Sequence, residues 1–187
     1  APAGIDPAAW RAALAEDVVD LVVTLREVEP AIAATAADRP LAEAIAWPGM
    51  PVYDVPGLAG AVNAVLAAAA SDGFEQAVVI AADVPDLPGL VLSKLLRPLT
   101  SRPVAVAAAG PSRPGLLGVA VRLPAPDWLP EIDLDQTTIG EVRAAAPRRA
   151  DVAAAPAWRR LRGPADLATL DPAVAGWENT RLLLSPA

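Results

Sequence analysis

The sequence predicts an α/β domain built as a three-layer α/β/α sandwich with a mostly parallel sheet. Short apolar runs alternate with stretches that have the periodicity of amphipathic helices, which is the pattern of strands joined by crossover helices. The apolar runs show no polar alternation, and this is typical of strands buried on both faces. The chain has 187 residues, a length that suits one domain. We therefore expect a single domain over residues 1–187.

The first half of the chain predicts three helices and two short strands. Asp6 and Pro7 are favourable cap and first-turn residues, and apolar side chains then recur every three or four positions. Prolines surround the second strand, and prolines are tolerated only at the edge of a sheet. In order, we expect a helix at residues 6–26, a strand at 31–35, a helix at 41–47, an edge strand at 51–55 and a helix from Gly57 to Asp72.

The second half predicts four strands and four helices. Thr138 and Glu141 have the spacing of a capping box, which marks the start of a helix. The strands are expected at residues 77–82, 103–108, 116–123 and 152–155, and the helices are expected to begin at residues 88, 138, 163 and 177. Five apolar residues are expected to be almost fully buried: Val78, Ile80, Val104, Val106 and Val119.

Composition excludes several kinds of chemistry. The chain has neither His nor Cys, so it lacks disulfides, thiolates and the commonest general base. A metal site would use carboxylate and carbonyl oxygens, which favours Mg²⁺ or Mn²⁺. The net charge of −7 argues against a nucleic-acid groove, and no apolar run is long enough to span a membrane. No signal-peptide pattern is visible, so we expect a cytoplasmic protein; the lack of an initial Met leaves open whether residues precede Ala1.

The stretch from Gln76 to Leu87 carries the strongest functional signal. Its apolar run ends at Asp83, and Pro85 follows, so the acid is expected at the carboxyl end of a buried, central strand. Open α/β sheets bind ligands in the crevice at that edge. From this pattern alone, a turn-capping role for Asp83 is an equally good interpretation.

The segment Ala82-Asp83-Val84-Pro85-Asp86-Leu87 resembles a strand end of the nucleotide-diphospho-sugar transferase superfamily, which has the GT-A fold. The nearest resemblance is to its small bacterial glycosyltransferase-like branch, related to the guanylyltransferases of molybdenum-cofactor and coenzyme F420 assembly. The order of elements is similar, and residues 116–120 and 164–167 resemble two further segments of that branch. Over residues 6–170, the resemblance implies a Rossmann-like GT-A fold and nucleotidyl or glycosyl transfer from a nucleotide or nucleotide-sugar.

The resemblance also implies roles for particular residues. In the superfamily, the acid that ends the central strand holds a divalent metal that bridges the substrate phosphates, and Asp83 is the matching position. Asp83 would thus be the catalytic ligand of Mg²⁺ or Mn²⁺. Apart from the resemblance, we expect Arg113 and Arg162 to contact the phosphates. Asp86 is expected to cap the next helix rather than to bind metal.

The sequence departs from the superfamily pattern at three places. Residues 1–20 show no first strand with a basic, glycine-containing phosphate loop. The loop at residues 110–115 lacks the acid of the family and has Pro114 in place of one glycine. Arg162 occupies the position of the second metal-binding acid, and a cation cannot replace a carboxylate ligand. We therefore expect either that metal binds only together with nucleotide, or that Arg162 pairs with Asp83 in place of the metal.

The remaining charged residues leave alternatives open. Arg159, Arg160 and Arg162 could contact phosphate, although a solvated face is the preferred interpretation. Asp133 and Asp135 could supply a second carboxylate, although ordinary surface acids are preferred. Two further functions are also open: a degenerate member that binds a ligand or partner chain without catalysis, and a structural subunit that docks through residues 177–184. A homodimer is compatible with each of them.

Overall fold

The computed structural model describes residues 1–57, 60–110 and 114–185 of the chain. The helices are α1 (Pro7–Val23), α2 (Arg39–Ile45), α3 (Ala61–Ser71), α4 (Gly89–Leu96), α5 (Ile139–Ala145) and α6 (Glu178–Leu184). The strands are β1 (Ile32–Ala34), β2 (Val52–Asp54), β3 (Gln76–Ile80), β4 (Val104–Ala108), β5 (Leu116–Arg122) and β6 (Val152–Ala155). Short 3-10 helices cover Arg97–Thr100, Arg149–Asp151 and Pro164–Thr169. The predicted α/β class and order of elements are confirmed, except that the segment starting at residue 163 forms a 3-10 helix.

Local sequence signals determine several helix ends. The Asp6 carboxylate accepts a hydrogen bond from the Ala9 backbone N–H at 2.8 Å, which caps α1. At α5 the Thr138 hydroxyl accepts from the Glu141 N–H, and the Glu141 carboxylate accepts from the Thr138 N–H. This reciprocal pair is the predicted capping box. The predicted start of the third helix at Gly57 is wrong, because α3 begins at Ala61 behind Gly60 as its N-cap; residues 58–59 lie outside the described residues.

The main sheet has four strands in the order β3-β5-β4-β6, and it is mixed. β5 runs antiparallel to both β3 and β4, whereas β4 and β6 are parallel. The prediction of a mostly parallel sheet is therefore not confirmed. The physical reason is the short connection: only residues 109–115 join β4 to β5, and a parallel crossover needs a dozen residues or more.

The prediction that residues 77–82 form a central strand is wrong for the described part of the chain. β3 lies at the edge of the four-stranded sheet, and β1 and β2 form a separate parallel pair. Val78 and Ile80 are therefore only half-buried. Val104, Val106 and Val119, on the interior strands, have no exposed surface, as predicted. An apolar run indicates that both faces of a strand are covered, but it does not indicate whether the strand has a hydrogen-bonded neighbour on each side.

Helices cover both faces of the main sheet. Ala105 and Ala107 of β4 pack in a cluster with Leu95 of α4 on one face. Val104 and Val106 pack on the other face, in a cluster with residues of α3 and α5. This alternation along β4 is the two-residue period of a strand that has an apolar layer on each side. Among the described helices, none combines the length and apolar character that a membrane crossing requires.

A buried carboxylate joins the first and last helices. Asp17 of α1 is 1% exposed, and its two oxygens accept the backbone N–H groups of Asn179 and Thr180, each at 2.9 Å. These are N–H groups of the first turn of α6 that the helix itself leaves unpaired. Burial raises the pKa of the Asp17 carboxyl, and the hydrogen bonds from Thr180 and Asn179 lower it. The contact fixes α6 against α1.

Candidate functional site

Asp83 lies just beyond the end of β3, in the segment that leads to α4. Its carboxylate accepts two hydrogen bonds from one guanidinium: Arg160 Nε donates to Oδ1 at 2.6 Å and Nη2 donates to Oδ2 at 3.0 Å. The Leu161 N–H also donates to the Asp83 carbonyl at 2.8 Å, so the segment around Arg160 runs alongside Asp83. The side chains of Asp83 and Arg160 are 23% and 10% exposed. The geometry is the bidentate fork that arginine forms with a carboxylate.

A second acid and a second arginine extend this pair. Asp135 Oδ1 lies 2.9 Å from Arg160 Nη1 and 3.4 Å from Arg162 Nη2. Both guanidiniums also donate to the carbonyl of Leu134, at 2.9 Å and 3.3 Å respectively. We refer to Asp83, Asp135, Arg160 and Arg162 as the Asp83 cluster. It holds two carboxylates and two guanidiniums, so its formal charges balance.

Neighbouring Asp86 is also paired with an arginine, but it does not have the predicted role of a helix cap. It is 1% exposed, accepts a hydrogen bond from Trp158 Nε1 at 3.1 Å, and forms an ion pair with Arg159. The Arg159 guanidinium also lies 4.7 Å from the centre of the Trp158 ring, a cation–π distance. The predicted cap of α4 is wrong, because α4 begins at Gly89 behind Pro88 without a side-chain cap.

Gly115 allows the chain to approach the cluster closely. Its φ of +97° lies in the region that favours glycine, and a Cβ there would lie 2.6 Å from both Arg162 Nη2 and the Leu134 oxygen. The sequence predicted a loop at residues 110–115 but did not predict this contact. A glycine required by a long-range contact has the same local signature as a glycine required by a turn.

The predicted site residues are brought together only in part. Asp83 and Arg162 lie in one cluster, but Arg160 rather than Arg162 pairs with Asp83. Arg113 lies outside the described residues. Asp133 orders the loop instead of joining the cluster, because its Oδ1 accepts the Asp135 N–H at 2.7 Å.

The preferred interpretation of three solvated arginines is not what the structure shows, since Arg159, Arg160 and Arg162 each contact a carboxylate.

The arrangement does not fit a metal held by protein ligands alone. Within residues 1–57, 60–110 and 114–185, no group of three or more carboxylates is placed to hold a metal ion. Both oxygens of Asp83 already accept hydrogen bonds from Arg160. Within the described residues, two buried guanidinium nitrogens here lack a hydrogen-bond partner, namely Arg159 Nε and Arg162 Nε. Unsatisfied atoms of this kind call for an explanation, and both are donors suited to an anion.

Comparison with known proteins gives a fold. No protein-family model matches the chain, and no curated protein matches it. The chain is similar to a solved structure from Desulfovibrio desulfuricans G20 named "putative nucleotide-diphospho-sugar transferase", with a TM-score of 0.58 and 17% identity. The similarity covers 91% of this chain and 81% of that chain. At this identity the similarity shows the fold alone, and that fold is of the α/β class predicted from the sequence.

Proposed function

We propose that this chain binds a nucleotide or nucleotide-sugar at the Asp83 cluster and uses it in nucleotidyl or glycosyl transfer. The observation that carries the proposal is the position of Asp83, Arg160 and Arg162 beside the end of β3, in a fold similar to that of the Desulfovibrio protein. Ligands of open α/β sheets bind in the crevice beyond the carboxyl ends of the strands.

Arginines supply the chemistry for holding the phosphates. A guanidinium binds a phosphate with the same two-point geometry that it uses for a carboxylate. An incoming diphosphate can therefore compete with Asp83 and Asp135 for the donors of Arg160 and Arg162. The guanidiniums exchange one charge-assisted pair for another, and the displaced carboxylates then need water or a cation as their new partner. The unsatisfied Nε of Arg162 offers a further donor.

In this proposal, Asp83 is the residue of the protein that would bind Mg²⁺ or Mn²⁺. Such an ion would bind to Asp83 and the substrate phosphates, and would supply positive charge that offsets the charge of the phosphates. In the structure both oxygens of Asp83 accept hydrogen bonds from Arg160, and the positive charge of that guanidinium opposes a bound cation. The proposed binding of phosphate therefore rests on the arginines.

A specific observation favours a second function, that of a non-catalytic member which binds a ligand or a partner chain. Arg160 contributes at Asp83 the positive charge that a metal would otherwise supply, and it is held there by Leu134 as well. A fixed cation stabilises phosphate but does not exchange ligands as a metal does. In that case binding occurs and transfer does not.

Calorimetry with a panel of nucleoside triphosphates and nucleotide-sugars tests the first step. We expect at least one member to bind, and we expect Arg162→Gln to weaken it by about tenfold, as the loss of one charge-assisted contact implies. Arg26→Gln serves as the matched control, because Arg26 is exposed and is distant in sequence from the Asp83 cluster. If no member of the panel binds, with or without Mn²⁺, nucleotide binding is excluded. For a ligand that binds, release of pyrophosphate or nucleoside diphosphate separates the transferase from the non-catalytic member.

A further inference from the structure

A cleft, which we call the second cleft, lies at the end of the main sheet opposite to the Asp83 cluster. It has a volume of about 450 Å³ and is lined by Arg102, Arg143, Arg149, Ala150, Val152 and Ala153. β3 and β4 run in the same direction, because both are antiparallel to β5. Asp83 follows the carboxyl end of β3, whereas this cleft surrounds the amino ends of β4 and β6. The two sites are therefore separate.

The three arginines of this cleft lack acidic partners. Within the described part of the chain, none of Arg102, Arg143 and Arg149 forms an ion pair, and the Nε of Arg143 is buried without a hydrogen-bond partner. The acids nearest in sequence are already engaged. The Glu141 carboxylate accepts from Thr138 in the capping box, and Asp151 pairs with Arg148 at 2.8 Å.

One contact shows how the cleft is built. Arg102 Nη1 donates to the Ala150 carbonyl at 2.5 Å, which holds its guanidinium across the cleft from β4 toward the β6 side. Arg143 projects from the last turn of α5, and Arg149 lies on the 3-10 helix before β6. Three separate segments thus bring one positive charge each to the same concavity.

This concentration of positive charge occurs in a chain whose net charge is −7. A concave site lined by one sign of charge focuses the field and raises the local concentration of counter-ions. Guanidiniums bind phosphate oxygens in a bidentate manner, and the cleft is open to solvent, so a small charged group can reach all three arginines. A long polyanion would also contact the acidic remainder of the surface and be repelled.

We propose that the cleft formed by Arg102, Arg143 and Arg149 is a second anion site, which takes a small molecule bearing a diphosphate. Three uncompensated guanidiniums match the several negative charges of a diphosphate better than the charge of a single monoanionic group. Small side chains at Ala150, Val152 and Ala153 leave the floor of the cleft open to such a group.

Calorimetric titration with inorganic pyrophosphate at low salt tests the site. We expect Arg143→Gln/Arg149→Gln to weaken pyrophosphate binding by at least about tenfold, since each lost pair with a phosphate is charge-assisted. Arg11→Gln/Arg26→Gln removes the same charge from two exposed arginines near the amino terminus and should change the affinity by less than about twofold. No binding by the unmodified protein, or equal weakening by both double variants, would overturn the proposal.

Two further measurements keep the test decisive. Arg149 is exposed, so Arg149→Gln alone leaves the fold intact and should weaken binding by about threefold, the size of one solvent-screened charge contact. An unchanged affinity in that variant counts against the site even if the double variant unfolds. Sulfate at the same ionic strength should bind more weakly than pyrophosphate, and equal affinities would refute the assignment to a diphosphate.

The outcome is also distinguishable from that at the Asp83 cluster. Arg162→Gln should leave pyrophosphate binding at the second cleft unchanged, whereas it should weaken the nucleotide binding proposed above. If Arg162→Gln alone abolishes pyrophosphate binding, the anion binds at the Asp83 cluster and the second site is wrong. Backbone amide shifts at Val152 and Ala153 on titration would locate the ligand directly.

Discussion

Two groups of three arginines lie at opposite ends of the main sheet, and the two groups have opposite electrostatic surroundings. At the carboxyl end each guanidinium contacts a carboxylate: Arg159 with Asp86, Arg160 with Asp83, and Arg162 with Asp135. At the amino end, no described carboxylate pairs with the arginines of the second cleft, Arg102, Arg143 and Arg149. The same residue type therefore supports buried carboxylates at one end of the sheet and offers unpaired positive charge at the other.

The difference follows from burial. A partly buried carboxylate needs a partner because an isolated charge there is costly, and removing the partner leaves the full cost in place. An exposed guanidinium is solvated and needs none. Substitutions at the two ends should therefore affect stability very differently, although they remove the same group.

The largest effect is expected at Arg160. Arg160→Met keeps much of the volume but leaves Asp83 unpaired, and we expect a loss of about 3 kcal/mol in the free energy of unfolding. Arg149→Met, at the exposed amino end, should change that free energy by less than about 0.5 kcal/mol. Urea denaturation of both variants measures the contrast. If the two losses are equal, the two ends do not differ as the contacts indicate.

The next effect is expected at the buried acid Asp86. Asp86→Ala leaves Trp158 Nε1 and the Arg159 guanidinium without their acceptor, which should cost about 2 kcal/mol. Asp151→Ala breaks the pair with Arg148, whose side chain is 80% exposed, and should cost about 1 kcal/mol or less. Thermal unfolding of the two variants gives the comparison. A larger loss for Asp151→Ala would contradict it.

A smaller effect concerns the glycine that backs the Asp83 cluster. Gly115→Ala and Gly73→Ala both place a side chain at positive φ, with angles of +97° and +90°. A Cβ at residue 115 would clash with Arg162 and Leu134, whereas a Cβ at residue 73 meets nothing within 4 Å. The backbone strain is common to both, so the extra loss at Gly115, about 1.5 kcal/mol, isolates the overpacking. Equal losses by urea denaturation would show that the loop gives way.

Local structure could be predicted from sequence, and the pairing at the site could not. The Asp6 cap and the Thr138–Glu141 capping box depend on residues three apart, so the sequence displays both partners together. The Asp83–Arg160 pair joins residues 77 positions apart, and nothing local distinguishes Arg160 from Arg162. The apolar run placed Asp83 beyond the end of a strand, as the structure does. The mixed sheet was foreseeable from the short connection at residues 109–115, and the edge position of β3 was not.

The smallest expected effect is a gain in the free energy of unfolding, whereas the other substitutions are expected to lower it. Three guanidiniums in one cleft without acidic partners repel one another, and nearby like charges cost a few tenths of a kcal/mol each. At low salt, Arg149→Gln should therefore stabilise the protein by about 0.3 kcal/mol relative to Arg26→Gln.

The control at Arg26 is needed because either substitution makes the net charge of −7 more negative, and that alone destabilises the folded chain. The difference between the two variants cancels this global term and leaves the local repulsion. Screening should remove the difference in about 0.5 M NaCl, where the Debye length falls to a few ångströms. A difference that persists at high salt would have a cause other than charge. A destabilised Arg149→Gln variant at low salt would mean that an acid already compensates the cleft, and the contrast between the two ends would be lost.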